Sequence, residues 1–170
     1  LKTFKGGIHP DEQKQLTEHK PIEQCPLPAR VIVSMSQHLG APSKPIVKPG
    51  DVVEEGQKIA DASGVISAPI YSPVSGTVKL IQKHIHVSGL MGDAIIIERN
   101  PHKPFRVWKR NTKTLEALTR DDIVAIIKDS GIVGLGGAGF PTYVKFMPSE
   151  KKPIKTLLIN ACECEPYITA

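Results

Sequence analysis

Aromatic side chains are scarce: three Tyr, four Phe and one Trp supply 5% of the 170 residues. With 40% of the chain hydrophobic, any core must be built from Val, Ile, Leu and Ala. Long apolar runs are missing, and none approaches the roughly 20 residues of a membrane span. The first residues, Leu1-Lys-Thr-Phe-Lys-Gly-Gly7, lack the apolar core of a signal peptide. The expectation is a soluble or peripheral protein of the cytoplasm. Cysteine is rare too. Cys25, Cys162 and Cys164 do not make a disulfide framework. They do not make a metal site either, since Cys162-x-Cys164 offers two thiolates and Cys25 is distant in sequence. His84-x-His86 sets two imidazoles on one strand face without a third ligand, which reads as an exposed strand edge.

Turn formers are abundant. Fifteen prolines and fourteen glycines favour β structure over a helical bundle. Residues 1–28 are polar and punctuated by Pro10, Pro21, Pro26 and Pro28, and read as an extended arm with one short helical turn at most. Residues 29–98 read as short strands: Arg30–Ser34 by its β-branched content, then Val52 and Val53, Ile59, Ile70, the stretch Ser72–Val78, and Ala94–Glu98. Turns fall at Val47–Asp51 and Glu54–Gly56. Strands this short and this closely spaced indicate a small barrel or sandwich.

The net charge of +5 is unevenly spread. Residues 99–118 form a basic linker with Arg99, His102, Lys103, Arg106, Lys109, Arg110 and Lys113, interleaved with Phe105 and Trp108. Such a patch suits an acidic protein or an anionic lipid. It also suits a solvated linker whose aromatics cover a neighbouring domain. Nucleic acid is set aside because no recognised module accompanies the patch.

From residue 119 the pattern changes. Thr119 is a good N-cap, Asp121 and Asp122 fall in the first turn, and Ile123, Ile126 and Ile127 repeat at helical spacing. Gly131 is a natural stop. Then comes Gly134-Leu135-Gly136-Gly137-Ala138-Gly139-Phe140-Pro141-Thr142, with four glycines in six positions. Glycines let a backbone approach a ligand closely. The spacing also fits G-x-G-x-x-G, but a dinucleotide fingerprint needs a preceding strand, and here a helix precedes. A helix is expected from Thr142 to about Phe146, and a buried strand at Ile154–Ile159. The strand runs into Asn160-Ala-Cys-Glu-Cys-Glu-Pro166.

Two resemblances organise these blocks. V-x-P-G-D-x-V-x-x-G-Q-x-I-A followed by S-P-V-S-G-T-V resembles the biotinyl/lipoyl barrel-sandwich hybrid. The stretch where carrier domains present their modified lysine, Ala62–Pro69, has none here, so the fold is expected without swinging-arm chemistry. The loop G-L-G-G-A-G-F-P-T with Lys145, and the N-A-C-E-C-E-P block, resemble the flavoprotein subunit of respiratory complex I. Lys5-Gly-Gly-Ile-His-Pro10 and the ending E-C-E-P-Y-I-T bring the whole chain closer to the C subunit of the Rnf electron-transport complex. The resemblance implies an α+β, multidomain chain: an arm (1–28), a barrel-sandwich hybrid (29–98), the basic linker (99–118) and the start of a Rossmann-like α/β FMN/NADH-type domain (119–170).

It also implies a role, as a peripheral subunit on the cytoplasmic face of the inner membrane. Such a subunit works in a complex that moves electrons between NADH and ferredoxin while translocating ions. Implied partners are the membrane subunits, NADH and a ferredoxin-like acidic carrier. Implied cofactors are FMN and NADH. Two [4Fe-4S] clusters belong to a later region, and a cluster needs about four cysteine thiolates, so this stretch is expected to be an N-terminal part, inactive alone. By the same resemblance Gly134, Gly136, Gly137 and Gly139 line the flavin with main chain. Lys145 meets phosphate or the flavin's N1/C2=O edge, Asn160 the isoalloxazine or ribityl chain, and Glu163 or Glu165 the nicotinamide. The sequence departs from the flavoprotein pattern at Leu135, where that family has arginine, and at Cys162, where it has aspartate. Two other roles stay open: a soluble electron-transfer relative, and a non-catalytic assembly scaffold.

Overall fold

The structure is a computed structural model, and it describes residues 10–103, 114–147, 155, 156, 158, 159 and 166. The chain divides into two compact units, Leu27–Pro153 and a smaller one of Leu1–Pro26 with Ile154–Ala170. In the smaller unit a one-turn 3-10 helix spans Lys14–Leu16.

The larger unit begins with seven antiparallel strands: β1 (Arg30–Ser34), β2 (Lys44–Pro45), β3 (Val52–Val53), β4 (Lys58–Asp61), β5 (Ile70–Tyr71), β6 (Gly76–Ile85) and β7 (Met91–Arg99). They form a four-stranded sheet in the order β1-β7-β6-β3 and a three-stranded sheet β2-β4-β5. This is the barrel-sandwich arrangement that the resemblance implies. Side chains alternate across a strand, and the inward ones close one aliphatic core. Val33, Met35, Val53, Ile59, Ala60, Ile70, Val74, Val78, Ile95 and Ile97 are all buried in it. Val33 sits opposite Ile95, and Val78 opposite Ile97. No aromatic ring is among them, as the composition demands.

β6 and β7 run further than the sequence pattern implies. Local signals end near Val78 and resume at Ala94, whereas the ladder extends to the pair Ile85–Met91. The hairpin partner supplies the hydrogen bonds that the polar stretch 82–86 does not announce. A bulge between Val78 and Leu80 shifts the register and re-aims the outer half of the hairpin. Lys79 pairs with Glu98 at 2.6 Å and Lys83 with Asp93 at 2.9 Å. Both pairs are exposed and stabilise little, though Lys79 holds the Glu98 carboxyl below its ordinary value.

After a 3-10 turn at Leu115–Ala117, helix α1 (Arg120–Asp129) opens with a capping box. The Asp122 amide donates to Thr119 Oγ1, and the Asp122 carboxylate accepts from the Thr119 amide. Helix α2 (Thr142–Lys145) is short. Two tyrosines tie these helices to the β unit: the Tyr71 hydroxyl donates to the Asp129 carbonyl, and the Tyr143 hydroxyl to the Val65 carbonyl.

Of the expected strand Ile154–Ile159, Ile154 and Leu157 lie outside the described residues. Lys155, Thr156, Leu158 and Ile159 carry no strand assignment, and Leu158 and Ile159 are more than four-fifths exposed. An apolar run becomes a strand only where a neighbour supplies the ladder, and none pairs with this run among the described residues. Among the described residues no helix is long and apolar enough to cross a membrane.

Candidate functional site

The glycine loop is closed by a small antiparallel bridge. Val133 pairs with Pro141, the Gly134 amide donates to the Phe140 carbonyl at 2.9 Å, and the Thr142 amide to the Ile132 carbonyl at 3.0 Å. Gly134 therefore uses its N–H to shape the loop. At the far end Gly139 is buried against the segment that follows β1. Its carbonyl accepts from the Leu39 amide at 3.2 Å, and its φ is +60°. A Cβ there would lie 2.9 Å from the Gln37 carbonyl oxygen and 3.0 Å from His38 Cα, so only glycine permits this seat. Between the two anchors the loop is open. An added Cβ at Gly136 or Gly137 would meet nothing within 4 Å. Gly136 and Gly137 thus present bare, unpacked backbone at the centre of the loop.

Lys145 stands on α2, exposed, with its Nζ 5.9 Å from the centre of the Phe140 ring. Lys128 lies 5.3 Å over the Tyr143 ring. Asn160, Glu163 and Glu165 lie outside the described residues, as do Cys162, Cys164, His9, and Phe105 through Lys113 of the basic linker. Four glycines and Lys145 are thus placed in one region, the glycines at the loop and the lysine one helical turn beyond it. The Cys25 thiol is free and exposed, and the described residues hold no metal-binding group of three or more His, Cys, Asp or Glu.

The segment that seats Gly139 is itself fixed by a side chain that no sequence motif marks. The Ala68 amide donates to His38 Nε2 at 3.0 Å. Around it, Ser67 Oγ donates to the Ala41 carbonyl at 2.8 Å and accepts from the Ser63 amide at 3.1 Å. Ser43 Oγ donates to the Ala68 carbonyl at 2.7 Å. The stretch that would carry a lysine in a carrier domain here holds a hydrogen-bonded latch. Burial pushes the His38 imidazole below its ordinary pKa, against a smaller opposing pull from the Ala41 carbonyl. A cleft of about 630 Å³ separates the latch, the glycine loop and the outer end of the β6–β7 hairpin, within the roughly 300–1,000 Å³ of small-molecule sites. The only signal for His38 in the sequence is its position before Leu-Gly-Ala-Pro, a turn that needs holding.

Residues 2–102 match the RnfC barrel sandwich hybrid domain, and residues 127–170 match the Nuo51 FMN-binding domain. The second match contains the whole glycine loop. Among curated proteins, the chain is 40% identical over its full length to the C subunit of the proton-translocating ferredoxin:NAD(+) oxidoreductase complex of Clostridium ljungdahlii. It is 40% identical over 99% of its length to the Na(+)-translocating counterpart of Acetobacterium woodii. It is 41% identical, again over its full length, to the C subunit of the ion-translocating oxidoreductase complex of Pseudomonas aeruginosa. It spans 37%, 38% and 22% of those three relatives.

Proposed function

The chain belongs to the RnfC family, and from that premise we propose that it forms the N-terminal part of the C subunit of an ion-translocating ferredoxin:NAD+ oxidoreductase complex. In this reading residues 1–28 are an arm, 29–98 the barrel-sandwich module, 99–118 a basic linker, and 119–170 the start of a Rossmann-like flavin domain. The subunit sits peripherally on the cytoplasmic face of the membrane. Its partners are the other subunits, NADH and an acidic ferredoxin-like carrier. The [4Fe-4S] clusters belong to the larger share of the relatives' length that the match does not cover.

FMN, when bound, takes a hydride and releases electrons singly, which is the chemistry that links a nicotinamide to iron–sulfur centres. The chain's own part is to hold it. Gly136 and Gly137 let the ligand lie against backbone, while Gly134 and Gly139 fix the two ends of the loop. Lys145 supplies a cation one helical turn beyond the loop, for phosphate or for negative charge on the flavin ring. Asn160, Glu163 and Glu165 complete the flavin and nicotinamide contacts at the end of the second block. The observation that carries the reading is a loop with an open centre and hydrogen-bonded ends inside the stretch that matches an FMN-binding domain.

Flavin fluorescence and calorimetry test it. Saturable FMN binding to the 170-residue chain, lost in Gly136→Val, is the expected result. A Cβ at position 136 meets no protein atom within 4 Å, so loss of binding in a chain of unchanged circular dichroism locates the site. Equal binding by Gly136→Val would sink the assignment.

A further inference from the structure

The β6–β7 hairpin reaches past the core and ends in an apolar tip. Ile85, Val87, Leu90 and Met91 are 69%, 97%, 72% and 59% exposed. A contiguous apolar patch on a protein surface marks an interaction site. The turn between them is tight. The Gly89 amide donates to the His86 carbonyl at 2.9 Å, the His86 amide donates to the Leu90 carbonyl at 2.8 Å, and Gly89 takes a φ of +81°. The Ser88 amide donates to His86 Nδ1 at 3.2 Å, with Ser88 Oγ 3.0 Å from the same nitrogen. Several polar groups of the tip are thus satisfied from within, which lowers the cost of taking them out of water.

The distribution of the apolar groups decides what the tip meets. Ile85 pairs with Met91 and shares a face with it. His86 and Leu90 are the next pair outward, so Leu90 stands on the opposite face. Val87 lies at the crest. A folded partner would cover one face, whereas apolar groups on both faces and at the crest suit a fluid apolar medium that closes around them. Charge points the same way. No Asp or Glu occurs between Gln82 and Gly92. The two carboxylates of the hairpin, Asp93 and Glu98, are each paired with a lysine, Lys83 and Lys79. Nothing on the tip repels an anionic surface, and the net +5 of the chain attracts one.

We propose that this tip inserts into the interfacial layer of an anionic lipid bilayer, with Val87 and Leu90 deepest and Ile85 and Met91 behind them. The inference rests on the reading that the subunit is peripheral to a membrane, and it names the element of this chain that meets the lipid.

Sedimentation of the 170-residue chain with vesicles of mixed phosphatidylcholine and phosphatidylglycerol tests it. Val87→Ser/Leu90→Ser alters two residues that support no core, and should lower the partition coefficient about tenfold. Val65→Ser, at a site 88% exposed and off the hairpin, should leave it unchanged. Pure phosphatidylcholine vesicles should bind more weakly than the mixed ones. In the chain carrying Trp108→Phe and Val87→Trp, brominated acyl chains should quench the fluorescence. Vesicle binding that survives Val87→Ser/Leu90→Ser, or fluorescence that bromine leaves unchanged, overturns insertion by the tip. A wild-type chain that ignores the vesicles overturns it too. If the double variant then also fails to assemble with the membrane subunits, the tip meets protein instead and the peripheral reading stands. The FMN titration is read separately. A chain that binds vesicles through the tip but no flavin keeps this inference, and one that binds flavin but no vesicles loses it and keeps the glycine-loop reading.

Discussion

Gly139 and Gly136 sit three residues apart in one loop and should respond to substitution in opposite ways. At Gly139 a methyl group meets the Gln37 carbonyl and His38 Cα at a φ that disfavours side chains. Gly139→Ala is expected to cost about 1–3 kcal/mol and to release the Leu39 bond. At Gly136 the backbone is unstrained and the space is open, so Gly136→Ala should range from neutral to about 1 kcal/mol stabilising. Denaturant melts of both variants check the pair, and equal losses would contradict this account of the loop. The glycine run is legible in the sequence because its density has few purposes. Which glycine is anchored and which is open is not, because that depends on a carbonyl at Gln37. His38 is illegible for a similar reason, since its partner Ala68 lies thirty residues along the chain. Its neutrality has a consequence that can be measured. Burial holds the folded imidazole below the ordinary value of 6.5, and the Ala41 carbonyl opposes this only in part. The unfolded chain therefore takes up this proton first as pH falls. Stability from this group is full above about pH 6.5 and declines below it until the lowered folded value is passed. His38→Gln keeps an acceptor and cannot titrate in this range. The gap in melting temperature between wild type and His38→Gln should therefore shrink or invert between about pH 7.5 and pH 5. Parallel profiles would mean that His38 is not coupled to folding.

At the level of elements, the sequence marks β1, the position of α1 and the turn-rich β region, because β-branched runs, a capping box and Gly/Pro punctuation are local signals. It shortens β6 and β7, whose outer halves are polar and pair only because the hairpin continues. It also predicts a strand at Ile154–Ile159 from apolarity alone, where the described residues lie exposed. The docking of α1 and α2 has no local signal at all. Beside the seat of Gly139, it uses two tyrosine hydroxyls reaching main-chain carbonyls at Asp129 and Val65. Neither helix buries much apolar surface: α1 has no buried residue and α2 has Tyr143 alone. Each tyrosine bond should thus carry an unusually large share of the docking, about 0.5–1.5 kcal/mol apiece. The double variant Tyr71→Phe/Tyr143→Phe keeps the rings and removes the hydroxyls. Hydrogen exchange in 120–147 should quicken about tenfold or more, with β6 and β7 unchanged, because local opening is governed by local contacts. Uniform protection across both regions in the variant would show that ring packing alone holds the helices.

For the whole molecule, charge is the property that local geometry does not absorb. The surface pairs Lys58–Asp61, Lys79–Glu98 and Lys83–Asp93 are among those that neutralise themselves in place. The surplus behind the net +5 is densest between Arg99 and Lys113, which holds six Lys or Arg beside His102, mostly outside the described set. A local cluster of one sign raises the encounter rate with partners of the opposite sign and does so less as salt rises. An electron-transfer subunit that exchanges with an acidic carrier would use such a cluster for steering more than for final affinity. Charge reversal at Lys109 and Arg110 is therefore expected to lower the association rate with an acidic ferredoxin about tenfold at low ionic strength. The salt dependence of that rate should flatten, and the dissociation rate should change little. Stopped-flow or surface-binding kinetics at two ionic strengths separate the terms. An unchanged association rate would remove steering by this segment. A dissociation rate that rises in step would instead place Lys109 and Arg110 inside the contact itself.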